Sequence, residues 1–184
     1  MAFLSNTVAD GALPLGSSGL YIGGGFPELY AAALAANEPM RRAIAAAAAA
    51  GMPIYAECGG LMYLGQSIVD FDGREHPMVG AIPARSRLDG HRLSLGYRIV
   101  QSLGAGPLLR RGEVARGHEF HWSVLDAGAA PLNAYRVLEP APRREGFQVG
   151  NMLASYIHLH LASVPTMARR FVERCRRYRE RGRG

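Results

Sequence analysis

The stretch Pro53-Ile54-Tyr55-Ala56-Glu57-Cys58-Gly59-Gly60-Leu61-Met62-Tyr63-Leu64-Gly65 constrains the fold more than any other part of the chain. An apolar run of strand formers, Ile54 to Ala56, meets a small polar turn, Glu57 to Gly60, and then an apolar run with helical spacing, Leu61, Met62 and Leu64. Strand, tight turn and helix in that order hold one side chain out from the end of a sheet, and here that side chain is Cys58. Ala56 and Gly60 stand two positions to either side and are small, as a sharply bent backbone requires. At a helix N-terminus the first N–H groups favour thiolate over thiol, so Cys58 reads as a nucleophile. The same pattern also suits a small core residue, because free cysteines are among the most buried side chains. The neighbouring segments decide between the two.

Upstream, Leu20-Tyr21-Ile22 is a short apolar strand that runs into the glycine-rich loop Gly23-Gly24-Gly25-Phe26-Pro27-Glu28. Met1 to Ser18, before it, reads mostly as irregular lead-in. An alanine-rich helical stretch follows the loop from about Leu29 to Ala36. Asn37 is the predicted N-cap of the next helix, with Pro39 in the first turn, Ile44 on the apolar face and Gly51 as the stop. Strand, loop, helix, helix, strand, elbow, helix is an α/β alternation. It predicts a parallel sheet covered by helices, with functional loops at the carboxyl ends of the strands.

The middle of the chain changes character. Met78 to Pro83, Leu93 to Val100 and Gly117 to Ser123 are short strand-like runs with few helical patterns between them, which predicts an antiparallel extension. Tyr135 to Leu138 and Phe147 to Val149 continue it, with Pro140 and Pro142 marking a turn. Met152 to Ile157 then leads into His158-Leu159-His160, and Val164-Pro165 opens a last helix through Phe171 and Val172.

A chain of 184 residues has room for one domain with a full core, and no linker suggests a second. No apolar run approaches the ~18 residues that cross a bilayer, and no secretory signal is visible, so a cytoplasmic setting without membrane contact is expected. Cys58 and Cys175 lie in unlike settings and make no disulfide framework. The net charge of +6 raises the question of nucleic acid. Much of the excess, however, is a C-terminal cluster, Arg169, Arg170, Arg174, Arg176, Arg177, Arg179, Arg181 and Arg183, without a recognition motif, and no nucleic-acid partner is expected. The chain contains no lysine, so a G-x-x-x-x-G-K-[ST] phosphate loop cannot form.

A glycine loop, a cysteine elbow and a histidine, each after a strand, are the parts of a thiol acyl-transfer site. Cys58 would attack a carbonyl or carboxamide carbon, and His158 would take the thiol proton and return it to the leaving nitrogen. Backbone N–H groups of Gly25 and Gly59 would form the oxyanion hole. His160 shares a strand face with His158 by alternation and is a second candidate for the base.

Taken together, Gly-Gly-Gly-Phe-Pro-Glu at 23–28, Ala-Glu-Cys-Gly-Gly-Leu-Met-Tyr-Leu-Gly at 56–65, Gly-His-Glu-Phe-His-Trp-Ser at 117–123 and Ser-Tyr-Ile-His-Leu-His at 155–160 resemble the glutamine amidotransferase domain of the cobyrinic and hydrogenobyrinic acid a,c-diamide synthases. The resemblance runs from about residue 20 to 172. It implies a class I, triad-type glutaminase with a flavodoxin-like core. In such an enzyme Cys58 attacks the side-chain amide of L-glutamine, ammonia leaves, and water hydrolyses the glutamyl thioester. In most class I glutaminases a Glu two places after the histidine orients the ring. Here that place is His160, and the identity of any orienting group is open between His160 and a simple Cys–His dyad. The resemblance also implies an N-terminal ATP-dependent synthetase domain, using ATP and Mg and carrying a corrinoid substrate, which these residues do not contain. No cofactor is expected in this chain. It would be the glutaminase half of a longer protein or a subunit that docks on a synthetase.

Gly24 is expected to contact substrate. His118, Glu119 and His121 crowd one strand, with Glu119 and His121 on one face and His118, Phe120 and Trp122 on the other. Glu119 and His121 either line the glutamine pocket, meet another domain, or satisfy each other inside the sheet. No further ligand cluster accompanies them, so no metal is expected. Cys175, among arginines, is expected to be structural. Two rival functions are a free-standing cysteine amidohydrolase or peptidase on the same fold and a non-catalytic scaffold subunit.

Overall fold

Leu20, Ile54 and Ala56 have no exposed surface, as central strands covered on both faces require. The computed structural model describes residues 2–3, 10–90 and 93–182. Its first sheet runs Ala2–Phe3, Leu20–Ile22, Ile54–Glu57, Met152–Ser155, Phe147–Val149. The first four strands are parallel and the last is antiparallel. In register, Ala56 lies level with Ile22 on one side and Ala154 on the other, and Glu57 lies level with Ser155. The carboxyl ends of three strands therefore finish together, each followed by one of the suspected functional segments.

The expected lead-in is irregular from residue 10 to Ser18 except for turns, but Ala2–Phe3 pairs as an edge strand with Leu20 and Tyr21. The rest of that lead-in, and Arg183, lie outside the described residues.

Helices cover the sheet where the periodicity places them. A 3₁₀ turn at Pro27–Tyr30 leads into the helix Ala31–Ala36, and Glu38–Ala49 follows. Asn37 caps the second helix through its Oδ1, which accepts from the Met40 N–H at 3.3 Å, a contact worth about 1 kcal/mol. Met40, Ile44 and Ala47 form its buried stripe; burying Met40 and Ile44 stabilises the fold by roughly 1.5–3 kcal/mol each. On the last helix, Met167–Arg181, the buried residues are Met167, Phe171 and Cys175, while Arg169, Arg176, Arg177, Arg179 and Arg181 are exposed. Cys175 packs so closely on Gly19 that a Cβ there would stand 2.2 Å from its Sγ. Burial pushes its thiol pKa up, so Cys175 is a core residue, as the sequence suggested. No helix of the described residues is long and apolar enough to cross a membrane.

The antiparallel part forms two further sheets. One runs Arg143–Glu145, Tyr135–Glu139, Ser94–Ser102, Val114–His121, His158–Leu159. The other runs Glu75–Pro77, Ser67–Val69, Arg85–Leu88, Ser123–Asp126, with one parallel pair between its second and third strands. The expected single sheet with an extension is thus three sheets. The chain passes from the second to the third at Trp122, which belongs to neither.

Met78 to Pro83 is not a strand. Backbone N–H groups of Met78, Val79, Gly80, Ala81 and Ile82 donate to the carbonyls of Gln66, Tyr63, Gly65, Leu64 and Leu64 again. The segment satisfies the free carbonyls at the end of the helix Gly59–Leu64 instead of joining a ladder.

Candidate active site

Cys58 has φ 49° and ψ −107°, and among the described residues it is the one non-glycine residue with positive φ. Such a conformation costs roughly 1–3 kcal/mol and persists only where the surroundings hold it. Here the Cys58 N–H donates to Ser155 O at 2.7 Å, completing the parallel ladder, and its carbonyl accepts from the Met62 N–H at 3.1 Å, starting the helix. The side chain is left at the end of the sheet, only 6% exposed, with Sγ 3.5 Å from the Phe120 carbonyl oxygen. The sequence-derived elbow is present, with Cys58 at its bend.

Gly59 is the first residue of the helix, so its N–H has no acceptor within the helix. A Cβ on Gly59 would stand 2.8 Å from Gly25 O, 2.8 Å from Pro27 Cδ and 3.1 Å from Gly25 N. The glycine loop and the elbow therefore touch, and only glycine permits that approach. Gly24, expected to contact substrate, neighbours the histidine. It lies against the imidazole of His158, where an added Cβ would be 2.4 Å from Cε1.

His158 follows the strand that pairs with Ile54–Glu57, and its Nδ1 stands 3.6 Å from Glu57 Oε2. That leaves Nε2 for Cys58. Interaction with Cys58 first and with Glu57 second, against the opposing effect of burial, raises the His158 pKa to about 9. Glu57 is 4% exposed. Its Oε2 accepts from Tyr21 OH at 2.6 Å, and its Oε1 accepts from the Leu159 N–H at 3.0 Å and from Tyr55 OH. Burial opposes its charge, but His158, Tyr21 and Tyr55 outweigh burial and hold the carboxyl below the ordinary glutamate range.

Glu57 is thus the carboxylate that faces the histidine, and sequence reasoning missed it. One signal was present: a glutamate at the end of an otherwise apolar strand needs partners if it is buried. His160 does not take that place. The strand stops at Leu159, so alternation does not carry on to His160, which is exposed and precedes the 3₁₀ turn Leu161–Ser163. The cysteine, histidine and glutamate come from two strand ends, with Glu57 and Cys58 adjacent in the chain.

His118 stacks on His158, with ring centroids 4.6 Å apart and planes 4° from parallel. The strands pair these two residues in register. Burial, and then the charge of His158, push the His118 pKa below the ordinary histidine range. The pair is one imidazolium against one neutral imidazole.

The alternation predicted for Glu119 and His121 is observed, and the two divide the alternatives. Glu119 is buried and internally satisfied, by Arg98 Nε at 2.6 Å, Arg143 Nη2 at 2.7 Å and His121 Nε2 at 3.0 Å. Burial would raise its pKa, yet His121, Arg143 and Arg98 lower it to about 2. His121 stacks on Tyr156 with centroids 3.8 Å apart, and its Nδ1 meets Ser123 O at 2.8 Å. Both ring nitrogens of His121 face oxygen atoms. His121 lines a narrow cleft that also takes in Cys58, Gly25, Glu28, Met62 and Phe120. Among the described residues no group of three His, Cys, Asp or Glu side chains is placed to hold a metal ion.

The arrangement presents a thiol to a small cleft, with backbone N–H groups and an oriented, charged imidazole beside it. Such a set performs acyl transfer from an amide. A family model described as the CobB/CobQ-like glutamine amidotransferase domain matches residues 5–166. The cobyrinate a,c-diamide synthase of Synechococcus sp. is 46% identical over 168 residues, which cover 90% of this chain and 37% of that protein. The hydrogenobyrinate a,c-diamide synthase of Streptomyces coelicolor is 46% identical over 167 residues, covering 91% and 33%. The chain thus spans little more than a third of these relatives. Among solved structures, a glutamine amidotransferase superposes with a TM-score of 0.57 at 19% identity, covering 86% of this chain and 79% of that one. A glutamine amidotransferase from Thermotoga maritima superposes with a TM-score of 0.53 at 14% identity, covering 93% and 68%. These likenesses show the α/β fold of a class I, flavodoxin-like amidotransferase core.

Proposed function

The chain belongs to the CobB/CobQ-like glutamine amidotransferase domain family, and from that premise we propose that it hydrolyses L-glutamine to L-glutamate and ammonia, with Cys58 as nucleophile and His158 as acid and base. The observation that carries this assignment is the convergence of Cys58 on its positive-φ elbow with His158 and Glu57 at the carboxyl end of one sheet.

The Cys58 thiolate attacks the side-chain amide carbon, and the oxygen of the tetrahedral intermediate takes hydrogen bonds from the Gly25 and Gly59 N–H groups. The imidazolium of His158 gives its Nε2 proton to the amide nitrogen, the C–N bond breaks and ammonia leaves. The neutral imidazole then takes a proton from water, the hydroxide adds to the thioester, and collapse returns the thiolate with release of glutamate. Glu57 keeps the ring oriented and stabilises its charged form. Gly24 and His118 pack against the ring.

The ammonia would pass to an ATP- and Mg-dependent synthetase unit that amidates the a and c carboxylates of cobyrinate or hydrogenobyrinate, the corrinoids named for the relatives. That unit lies outside this chain, as a fused domain or a docked subunit.

Glutamate release from L-glutamine, measured for wild type and Cys58→Ala with and without an added synthetase unit, tests the assignment. Release by wild type, abolished in the variant, is the expected result. Silence in every arm, with no labelling of Cys58 by 6-diazo-5-oxo-L-norleucine, would favour a non-catalytic subunit.

A further inference from the structure

Among the described residues, the carboxylates that are buried or half-buried around the site have partners, with one exception. Glu57 is held by Tyr21, Tyr55 and the Leu159 N–H; Glu119 by Arg98, Arg143 and His121; Glu145 by Ser155 Oγ and the Tyr156 N–H; and Glu113, further off, by Arg170. Glu28 is half-buried in the wall of the cleft that contains Cys58, and its carboxylate is met by its own backbone N–H alone. Burial without a cation pushes its pKa up. A charge in that position is costly unless something positive joins it.

The position of Glu28 is fixed by the same contacts that build the site. It is the second residue of the turn Pro27–Tyr30, and the buried Pro27 rests on Gly59, the residue after the nucleophile. Across the cleft the charge has the opposite sign. His121 lies on that wall, and the single charge of the Glu119 behind it is outnumbered by Arg98 and Arg143. A cleft with an unpaired carboxylate on one wall and a positive cluster on another suits a zwitterion.

We propose that Glu28 receives the α-ammonium group of the substrate amino acid, so that the cleft selects an amide borne on a free amino acid over one without the amine. This rests on the glutaminase assignment above and names the group that gives it its substrate class. A site built to pair a substrate donor rejects an analogue lacking that donor strongly, because its own buried group is then left alone.

Covalent capture of Cys58 tests the proposal without depending on turnover. Three reagents are compared on wild type, Glu28→Gln and Glu28→Ala, with matched melting curves as the folding control. 6-Diazo-5-oxo-L-norleucine carries the α-ammonium, its deamino counterpart 6-diazo-5-oxohexanoate does not, and iodoacetamide reports the thiol alone. The expected result is a fall of roughly 30-fold or more in labelling by the amino-acid reagent in both variants, with the deamino reagent and iodoacetamide unchanged within about twofold. Unchanged labelling by the amino-acid reagent would overturn the role of Glu28 while leaving the glutaminase in place. Equal loss with all three reagents would also overturn it, by showing that Glu28 acts on the thiol or the fold. A wild-type thiol that reacts with iodoacetamide but not with the amino-acid reagent would overturn the glutamine assignment itself.

Discussion

Replacing Glu57 with glutamine keeps the size of the side chain and, with the amide oxygen in place of Oε1, an acceptor for Tyr55 and the Leu159 N–H, but turns an NH2 towards Tyr21 and removes the charge that faces His158. At the observed 3.6 Å, a pair of unit charges in a medium of effective dielectric near 20 is worth roughly 4–5 kcal/mol. That is an upper bound, because the His158 side chain is 22% exposed and Cys58, the larger contributor to its raised pKa, remains. About half, roughly 2 kcal/mol, is a reasonable share, equivalent to one to two pKa units. The imidazolium, which titrates near 9 in the native protein, would then lose its proton closer to neutrality. The assay is the pH dependence of glutamate release. The basic limb, expected near 9 in wild type, should move down by one to two units in Glu57→Gln, and the plateau rate should fall roughly 10²-fold. A variant whose basic limb stays near 9 and whose rate drops less than about threefold would refute the assignment of Glu57 as the orienting carboxylate. A thermal melt and iodoacetamide labelling of Cys58 confirm that the elbow is intact.

Gly24→Ala places a methyl 2.4 Å from His158 Cε1, so turnover should fall by at least about 10²-fold while circular dichroism stays native. His160→Ala should leave kcat within about twofold, because His160 is exposed and outside the cleft; a large loss would return it to the mechanism. Glu145 is fully buried, and desolvation raises its pKa to about 7. The folded state therefore holds a proton that the unfolded state releases near 4.5, so stability should be full below about 4.5 and decline as pH rises towards about 7. The whole effect is roughly 3 kcal/mol. Urea midpoints across that range should lose this slope in Glu145→Gln.

The cysteine elbow was legible because its causes are local. A β-forming run, two glycines and a helical run settle the backbone within thirteen residues, and the bend falls on Cys58. The Asn37 cap, the Met40–Ile44–Ala47 stripe and the buried line on the last helix were legible for the same reason: period and capping act over a few residues. Met78 to Pro83 shows the limit of that kind of inference. Its apolar residues suit a strand, yet its N–H groups are claimed by the free carbonyls of a helix that ends well before it.

Sequence by itself determined the cysteine elbow, the glycine loop and the histidine after its strand, because each is demanded by the backbone at its own position. Tertiary structure alone decided what surrounds them. Glu57 and His158 meet because Ile54–Glu57 and Met152–Ser155 pair in parallel with Glu57 level with Ser155. A one-residue slip would turn the carboxylate to the other face. His118 reaches the ring through a second register, and Glu28 reaches the cleft wall on a turn whose Pro27 rests on Gly59. Hydrophobic pattern states which face of a strand is buried, but which buried polar groups become neighbours is set by long-range pairing that no short stretch of chain encodes.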